Sequence, residues 1–248
     1  MLISMASRAP RHRLQRGLSI VELLIGVAVG LFLIAGAATL FVSNLGNSRQ
    51  LLLEARINQD MRAAADLMTR DLRRAGYWGN SLAGTVATGA TSVTTPNPYR
   101  TITPGAEIVE YAFSRDTTEN NTLNTNENFG FQRVVVGGVG VVQMKIGNAW
   151  QTVTDPQTMD VTALTITPTE IPVSVRDACA VACCSDDDVT AGTCATRNIA
   201  AGASCPTIRV RQYALALTAT AIGNTTVTRT LQTRVRPRND EYAGVCPA

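Results

Sequence analysis

One acidic side chain, Glu22, lies inside an apolar run that extends from Leu18 to Val42. An ionised carboxylate within a bilayer is costly, about 3 kcal/mol for an acid at the centre of an inserted helix. Pairing with a cation relieves that cost, so Glu22 is a candidate functional residue whose partner must be basic. The alternative is that the Glu22 side chain reaches out of the apolar layer to the nearest interface.

Six cysteines are confined to the last third of the chain. They are Cys179, Cys183, Cys184, Cys194, Cys205 and Cys246. An even number of cysteines in one region is typical of a disulfide framework in an oxidising compartment. The sequence does not select among the possible pairings, although we expect Cys246 to tie the C-terminal tail to the cysteine-rich region 179–205.

Two metal-binding alternatives compete with disulfides in this region. A thiolate zinc site is disfavoured because paired C-x2-C knuckles are missing and adjacent Cys183 and Cys184 suit tetrahedral coordination poorly. A calcium loop is suggested by Asp186, Asp187 and Asp188. Consecutive acids point in different directions, however, and the spaced acidic pattern of calcium loops is absent. We therefore predict disulfides, with calcium as the second interpretation, and no metal or other cofactor.

The single histidine, His12, lies in the basic N-terminal segment, so the remainder of the chain has none. This composition excludes a Ser-His-Asp or Cys-His catalytic arrangement there, and any zinc site that uses imidazole. Scattered carboxylates keep an anchored hydrolase open as an alternative. We predict that the protein is not an enzyme and has no catalytic residues.

The formal net charge of +3 comes from the N-terminal segment. Without Arg8, Arg11, Arg13 and Arg16, 22 − 4 = 18 basic residues face 19 acidic ones, a net charge of −1. Such a chain lacks the excess of basic residues that nucleic-acid binding requires, so we predict no nucleic-acid partner. The arginine cluster at residues 70–74 is interleaved with acids and is interpreted as a solvated helix face.

The apolar run, residues 18–42, is long enough to span a bilayer as a helix. Arginines precede it and few charges follow it, so we expect its N-terminal end in the cytoplasm and the C-terminal domain outside. One interpretation is a signal peptide removed after the apolar region. The run is longer than a typical signal-peptide core and the helical pattern continues past it. Both features favour cleavage before the run, at Gly17, and an anchor kept in the mature protein.

A second helical segment follows the anchor, over residues 43–76. Its apolar residues recur at steps of three and four, which places them on one helix face. They are Leu53, Ile57, Met61, Ala64, Met68, Leu72 and Ala75. We expect that face to belong to the core, with Asp66 paired to Arg62 and Arg70 on another face. Gly76 is expected to end the helix as a C-cap.

The remainder, residues 77–248, predicts an antiparallel β domain. Candidate strands are Glu107–Phe113, Phe129–Val136, Val139–Ile146, Trp150–Val153, Val161–Thr167, Thr207–Ala221 and Thr225–Arg236. Glycine-containing pairs at residues 137–138 and 223–224 predict tight hairpins. Residues 79–105 and 114–128 are expected to be polar loops. Alternation along the last two strands predicts four arginines on one face, namely Arg209, Arg211, Arg234 and Arg236.

The stretch Gln15-Arg16-Gly17-Leu18-Ser19-Ile20-Val21-Glu22-Leu23-Leu24 resembles the class III leader of type IV prepilins and pseudopilins. This resemblance implies cleavage after Gly17 by a prepilin peptidase at the cytoplasmic face. It also implies N-methylation of Leu18, where the family usually has phenylalanine. In that family the acid at the fifth mature position, here Glu22, meets the positive N-terminus of a neighbouring subunit during assembly.

A second resemblance covers the end of the predicted helix. Residues 70–79, Arg-Asp-Leu-Arg-Arg-Ala-Gly-Tyr-Trp-Gly, are similar to the helix end of PilW-type minor pilins, which are related to J-type pseudopilins. The implied fold is α+β and pilin-like, a long N-terminal helix packed on an antiparallel β-sheet domain with a disulfide-rich C-terminal region. The implied order is a leader over 1–17, a transmembrane half over 18–42, an amphipathic half over 43–76 and a head domain over 77–248.

The function implied by the resemblance is structural: a minor pilin that helps to prime assembly of a type IV pilus and lies at or near its tip. The implied partners are the prepilin peptidase and N-methyltransferase, other minor pilins, the major pilin and a tip adhesin. The implied location is the bacterial inner membrane, as a single-pass protein with a periplasmic head, and then the pilus on the cell surface. Such filaments serve adhesion and twitching motility.

Two alternatives stay open. A minor pseudopilin of type II secretion, of the J-type, would carry the same kind of leader and helix end, although the extended cysteine-rich region favours a pilus. A membrane-anchored periplasmic binding domain that never enters a filament would show no cleavage at Gly17 and would tolerate Glu22→Ala.

Overall fold

The computed structural model describes residues 17, 19–84, 96–201 and 203–247. The chain divides into two compact units, Met1–Leu51 and Leu52–Ala248. Helix α1 (Ile20–Leu72) forms nearly all of the described part of the first unit and the opening of the second. Leader residues 1–16 and Leu18, for which cleavage and methylation are predicted, lie outside the described residues.

In the second unit, α1 buries one face, as its apolar stripe predicts. The buried residues are Ile57, Met61, Ala64, Ala65, Met68, Asp71 and Leu72. The regular helix ends at Leu72, because the N–H groups of Arg74 and Ala75 bond to carbonyls only three residues back. The chain then turns at Gly76, whose φ of +74° is a conformation that glycine adopts without strain. The predicted glycine turn is therefore confirmed, and the last helical turn is looser than expected.

The ion pairs predicted on the exposed face of α1 do not form. No salt bridge in the described part of the chain joins Asp66 to Arg62 or Arg70. All three side chains are exposed, where the attraction between two charges is small and the entropy of two long side chains opposes pairing.

The first sheet is a five-stranded antiparallel meander. Its strands, in sheet order, are β1 (Ile102–Pro104), β2 (Ile108–Ala112), β3 (Asn128–Val136), β4 (Val139–Ile146) and β5 (Ala149–Thr152). Gly137 and Gly138 both have positive φ between β3 and β4, as a two-residue hairpin requires. That hairpin is confirmed, whereas β1 lies inside the predicted loop 79–105.

The second sheet holds the longest strands. They are β6 (Met159–Ser174), β7 (Thr207–Ala221), β8 (Asn224–Val235) and β9 (Glu241–Ala243), with β9 paired to the start of β7. Strand β6 continues past Pro168 and Pro172, where the sequence predicts an end at Thr167. Proline has no backbone N–H to donate. It is tolerated there because β6 lies at the edge of the sheet, where one side of the strand has no neighbouring strand to bond. A short helix, α2 (Asp186–Thr190), lies between β6 and β7.

The prediction that four arginines share one sheet face is wrong. Tyr213 pairs with Val235, and the same register places Ala214 opposite Arg234. Arg211 lies on the core side of β7, two residues before buried Tyr213, while Arg234 is exposed on the other side. The alternation of each strand was correct, but the relative register of two strands depends on the turn between them.

The core of the second unit lies between α1 and the two sheets. Buried helix residues form one cluster with inward side chains of the first sheet, including Phe129 and Phe131, and of the second, including Leu215 and Leu217. The sheets meet through polar contacts as well, since the N–H of Gly140 donates to Asp160 at 2.7 Å. The expected α+β architecture, a helix packed on antiparallel sheet, is confirmed.

The polar loop over residues 114–128 is organised by two carboxylates. Glu127 is fully buried and accepts hydrogen bonds from the backbone N–H groups of Asn124 (2.8 Å) and Arg115 (2.9 Å). Glu119 accepts from the N–H of Gly79 at 3.0 Å. The hydroxyl of buried Tyr99 lies 3.2 Å from an oxygen of each carboxylate. Burial raises the pKa of Tyr99, so the hydroxyl remains a donor at neutral pH.

Acid should weaken this loop through Glu119. Burial acts to raise its pKa, but hydrogen bonds from Ser114, Asn121, Gly79 and Tyr99 outweigh burial and lower it below its usual value of 4.5. The stabilisation is therefore fully present above pH 4.5 and is lost as the pH falls through the folded-state pKa. We predict that Glu119→Gln lowers the melting temperature of the full chain in detergent at about pH 6, and that the difference from wild type shrinks toward about pH 3.

Asp187→Asn, at an exposed position of α2, is the matched control and should leave the pH profile unchanged. A difference between wild type and Glu119→Gln that stays constant over this pH range would contradict the assignment.

Candidate functional site

The first turn of α1 carries the candidate assembly residue, Glu22. Its side chain is exposed, and no salt bridge in the described part of the chain involves it. Gly17 is exposed as well, with no atom within 4 Å of the place that a Cβ would occupy. Among the described residues, therefore, nothing covers Gly17 and no cation pairs with the Glu22 carboxylate.

An uncovered apolar surface follows Glu22 along α1. Large side chains from Ile20 to Val42 are exposed, including Phe32 at 82%. The segment is long and apolar enough to cross a membrane, with a mean hydropathy of 2.5 over its best 18-residue window. Gly26 and Gly30 present bare backbone on this surface. An apolar surface of this extent requires lipid or protein contact, so α1 fits a single-pass membrane anchor.

At its other end, α1 is held by loops of the second unit. The N–H of Gly76 donates to the carbonyl of Ala112 in β2 at 2.8 Å. The carbonyl of Arg73 accepts from the N–H of Arg238 at 3.0 Å, and the carbonyl of Gly76 accepts from the Asn97 side chain at 2.9 Å. Helix ends leave carbonyls without partners, so these donors complete the end of α1 and join it to both sheets.

A buried acid adds a second connection between α1 and the first sheet. Asp71 is 8% exposed and accepts a hydrogen bond from the hydroxyl of Tyr111 at 2.6 Å. Burial, and then the nearby Asp71 carboxylate, raise the pKa of Tyr111, which keeps the hydroxyl a donor. The Arg74 guanidinium lies 3.7 Å from Asp71 and 4.1 Å from the centre of the Phe113 ring, so it balances the buried charge.

All six cysteines form disulfides. The pairs are Cys179–Cys246, Cys183–Cys205 and Cys184–Cys194. The predicted framework is confirmed, and so is the attachment of the C-terminal tail by Cys246. With every thiol oxidised, the thiolate zinc alternative does not apply.

The aspartates between these cysteines bond to nearby protein groups. Ser185 caps α2, and its N–H and hydroxyl donate to Asp188 at 2.9 and 2.8 Å. These hydrogen bonds, and then Arg176 at 2.7 Å, lower the pKa of Asp188. Asp186 pairs with Arg197 at 3.0 Å. Two of the three candidate calcium ligands therefore already have cationic partners.

Comparison with protein families now adds to this geometry. Residues 50–237 match the family described as prepilin peptidase-dependent protein B, PpdB. The chain belongs to the PpdB family. Searches of curated proteins and of solved structures found no significant match.

Membership of the PpdB family makes the chain a type IV pilin-associated protein. The matched range begins at Gln50 and therefore does not include Gly17 or Glu22. The dependence on prepilin peptidase in the family description fits processing of this chain by that peptidase. The uncovered apolar part of α1, which precedes the match, fits the membrane anchor that such a protein needs.

Sequence reasoning missed three buried charged residues: Asp71, Glu127 and Arg211. Arg211 donates to the carbonyl of Arg100 at 2.6 Å and lies 3.7 Å from Glu241. Asp71 could have been found, because it falls beside Leu72 on the apolar face of α1. Glu127 carried one local signal, the Asn124-x-x-Glu127 spacing that is typical of a capping box, whereas the partners of Arg211 come from distant parts of the chain.

The disulfides should differ in what they contribute to stability. In the chain-entropy model, closing a loop of 67 residues contributes about 4 kcal/mol and closing one of 10 residues about 3 kcal/mol. We predict that Cys179→Ser/Cys246→Ser lowers the free energy of unfolding more than Cys184→Ser/Cys194→Ser, measured by denaturant unfolding without reductant. Peptide mapping of the unreduced wild type checks the pairing, and an equal or reversed order of the two variants would contradict this ranking.

Proposed function

We propose that this chain is a PilW-like minor pilin of a type IV pilus, a structural subunit that helps to prime filament assembly at or near the tip. The observation that carries the proposal is the combination, on one chain, of PpdB family membership with an uncovered apolar helix that has Glu22 in its first turn. The proposed role is structural, so the chain is a substrate of an enzyme and does not catalyse a reaction.

Charge pairing would drive entry into the filament. Before assembly, the Glu22 carboxylate is an uncompensated charge in the apolar layer, which is costly. Cleavage after Gly17 creates an amine at Leu18 on every processed subunit. Two opposite unit charges 4 Å apart attract by about 4 kcal/mol at an effective dielectric constant of about 20. Docking that brings Glu22 to the amine of a neighbouring subunit would gain this attraction and cover both apolar helices.

The proposed partners follow from this mechanism. The prepilin peptidase, acting also as N-methyltransferase, would process and methylate the chain at Leu18. Other minor pilins and the major pilin would supply the neighbouring helices, and an adhesin at the tip would contact the head. The head would lie in the periplasm before assembly and on the cell surface afterwards.

A J-type pseudopilin of type II secretion is the second candidate, because residues 70–79 resemble both groups. The cysteine-bridged region between β6 and β7 favours the pilus, since it enlarges the exposed surface of the head. Presence of the native protein in purified pili, and not only in secretion filaments, would separate the two.

The processing prediction concerns the mature N-terminus. The intact mass of protein taken from its native membrane should correspond to a chain that begins at Leu18 and is one methyl group heavier than the cleaved sequence. A host without prepilin peptidase is the control and should yield the uncleaved chain. Retention of residues 1–17 in the native host would favour the anchored binding domain over a pilin.

The assembly prediction concerns the charge of Glu22. Glu22→Ala and Glu22→Gln should be cleaved and inserted normally but be depleted from purified filaments by at least about tenfold, because the attraction of about 4 kcal/mol is lost. Glu22→Asp keeps the charge and is the matched control, with partial incorporation expected. Quantitative immunoblots of membranes and filaments check this, and normal incorporation of Glu22→Gln would show that the carboxylate is incidental.

A further inference from the structure

A basic cleft lies at the end of α1, within the second unit. It has a volume of about 610 Å³ and is lined by Arg70, Arg73, Arg74, Tyr77, Ser114, Arg238 and Asn239. Arg70 lies in the last turn of α1, Arg73 and Arg74 directly follow the helix, and Arg238 follows β8 in sequence. The wall of the cleft therefore combines two segments that are distant in the chain.

Backbone contacts fix this arrangement. The N–H of Arg238 donates to the carbonyl of Arg73 at 3.0 Å, and the Asn239 side chain donates to the carbonyl of Ala75 at 3.3 Å. Arg74 is held over the Phe113 ring. Because main-chain atoms make the first of these bonds, the two arginine-bearing segments stay adjacent whichever side chains they carry.

The cations of this cleft are unusual within the second unit. Most basic residues there are in salt bridges, and among its described residues six arginines are in none. They are Arg62, Arg70, Arg73, Arg115, Arg234 and Arg238. Three of the six line the one cleft, and Arg74 joins them there with its charge shared with Asp71.

The negative end of the helix dipole explains only part of this clustering. Cations in the last turn of a helix are favourable, which accounts for Arg70 and, just past the helix end, for Arg73. Arg238 lies outside the helix, and its guanidinium adds like-charge repulsion to the same cleft. Each guanidinium presents a planar fork of N–H donors that matches a carboxylate in a bidentate pair, so several of them facing one space suit several carboxylates. An anion from outside the chain would relieve the repulsion.

We infer that this cleft binds carboxylate side chains of an acidic peptide segment from another protein. Nucleic acid fits less well, because it requires cations spread along a stripe, whereas these are confined to a single cleft. Residues 52–248 also carry 17 basic and 18 acidic side chains, a net charge of 17 − 18 = −1, so the surface as a whole does not attract a polyanion. That the segment belongs to a neighbouring pilus subunit rests on the proposed function, but the binding chemistry does not.

The test is a titration of the full chain in detergent, at low salt, with a fluorescent peptide of repeated Gly-Glu-Glu units, followed by anisotropy. Arg73→Ala/Arg238→Ala should weaken binding by about tenfold or more, since two charge-assisted contacts are lost. The matched control is Arg62→Ala/Arg234→Ala, which removes the same charge from exposed positions outside the cleft. It should change the affinity by less than about threefold. A peptide with Gln in place of Glu should not bind.

Several results would overturn the inference. One is an equal loss of peptide affinity in the two double variants. The others are binding of the Gln peptide, and no measurable binding of the Glu peptide by wild type. Tighter binding of a single-stranded oligonucleotide through the same arginines would assign the cleft to nucleic acid instead. An unchanged melting temperature of Arg73→Ala/Arg238→Ala shows that lost binding is not lost folding. If a chain that is never processed at Gly17 binds the peptide, the inference about the cleft stands and the proposed pilin function is rejected.

Discussion

An apolar helix surface that no described part of the chain covers is the constraint on which this structure depends. Between Ile20 and Val42 nearly every large side chain is exposed, and the hydrophobic effect makes such a surface unstable in water. The segment must therefore lie in lipid or against other helices. Under the proposed function, the carboxylate of Glu22 at its start makes those two environments unequal, because a neighbouring subunit brings a fixed cation to it and lipid tails do not.

The same helix has a different role in the second unit. From Ile57 onward its apolar stripe is buried against both sheets, and its end is tied by Gly76, Asp71 and the backbone of Arg238. Backbone bonds, a buried acid and a packed stripe act together at one place. These contacts join the end of α1 firmly to both sheets within the second unit, as the proposed filament subunit would require.

The region between β6 and β7 is stabilised by disulfides and polar contacts instead of a packed apolar core. Of the described residues from 175 to 205, only Cys183 and Ser185 are buried, so almost no apolar core forms there. Three disulfides, a capped α2 and ion pairs from Asp186 and Asp188 replace it. Disulfides restrict the unfolded chain and do not need buried surface, which allows an exposed region to keep one conformation.

Local patterns in the sequence were sufficient for much of this protein. Helical periodicity predicted the buried face of α1, and cysteine number and location predicted the disulfide framework. Glycine-containing pairs predicted both hairpins, although the second turn is formed by Ile222 and Gly223, one residue earlier than expected. Each depends on residues close in sequence or on composition. Strand β6 continues past the predicted end at Thr167 because an edge strand tolerates Pro168 and Pro172, and a local pattern does not show which strand lies at an edge.

What only the tertiary structure decided depends on pairs of distant segments. Register separated Arg211 from Arg234, the disulfide pairs joined Cys179 to Cys246, and Tyr99 brought Glu119 and Glu127 together. The arginine cleft likewise exists because Arg238 packs beside the end of α1. The sequence by itself determined the anchor, the acid within it and the α+β class, because these follow from composition and short-range periodicity. Only the tertiary structure showed which distant residues are partners. The free energy that selects those partners comes from packing between distant elements, and spacing along the chain carries little information about such packing.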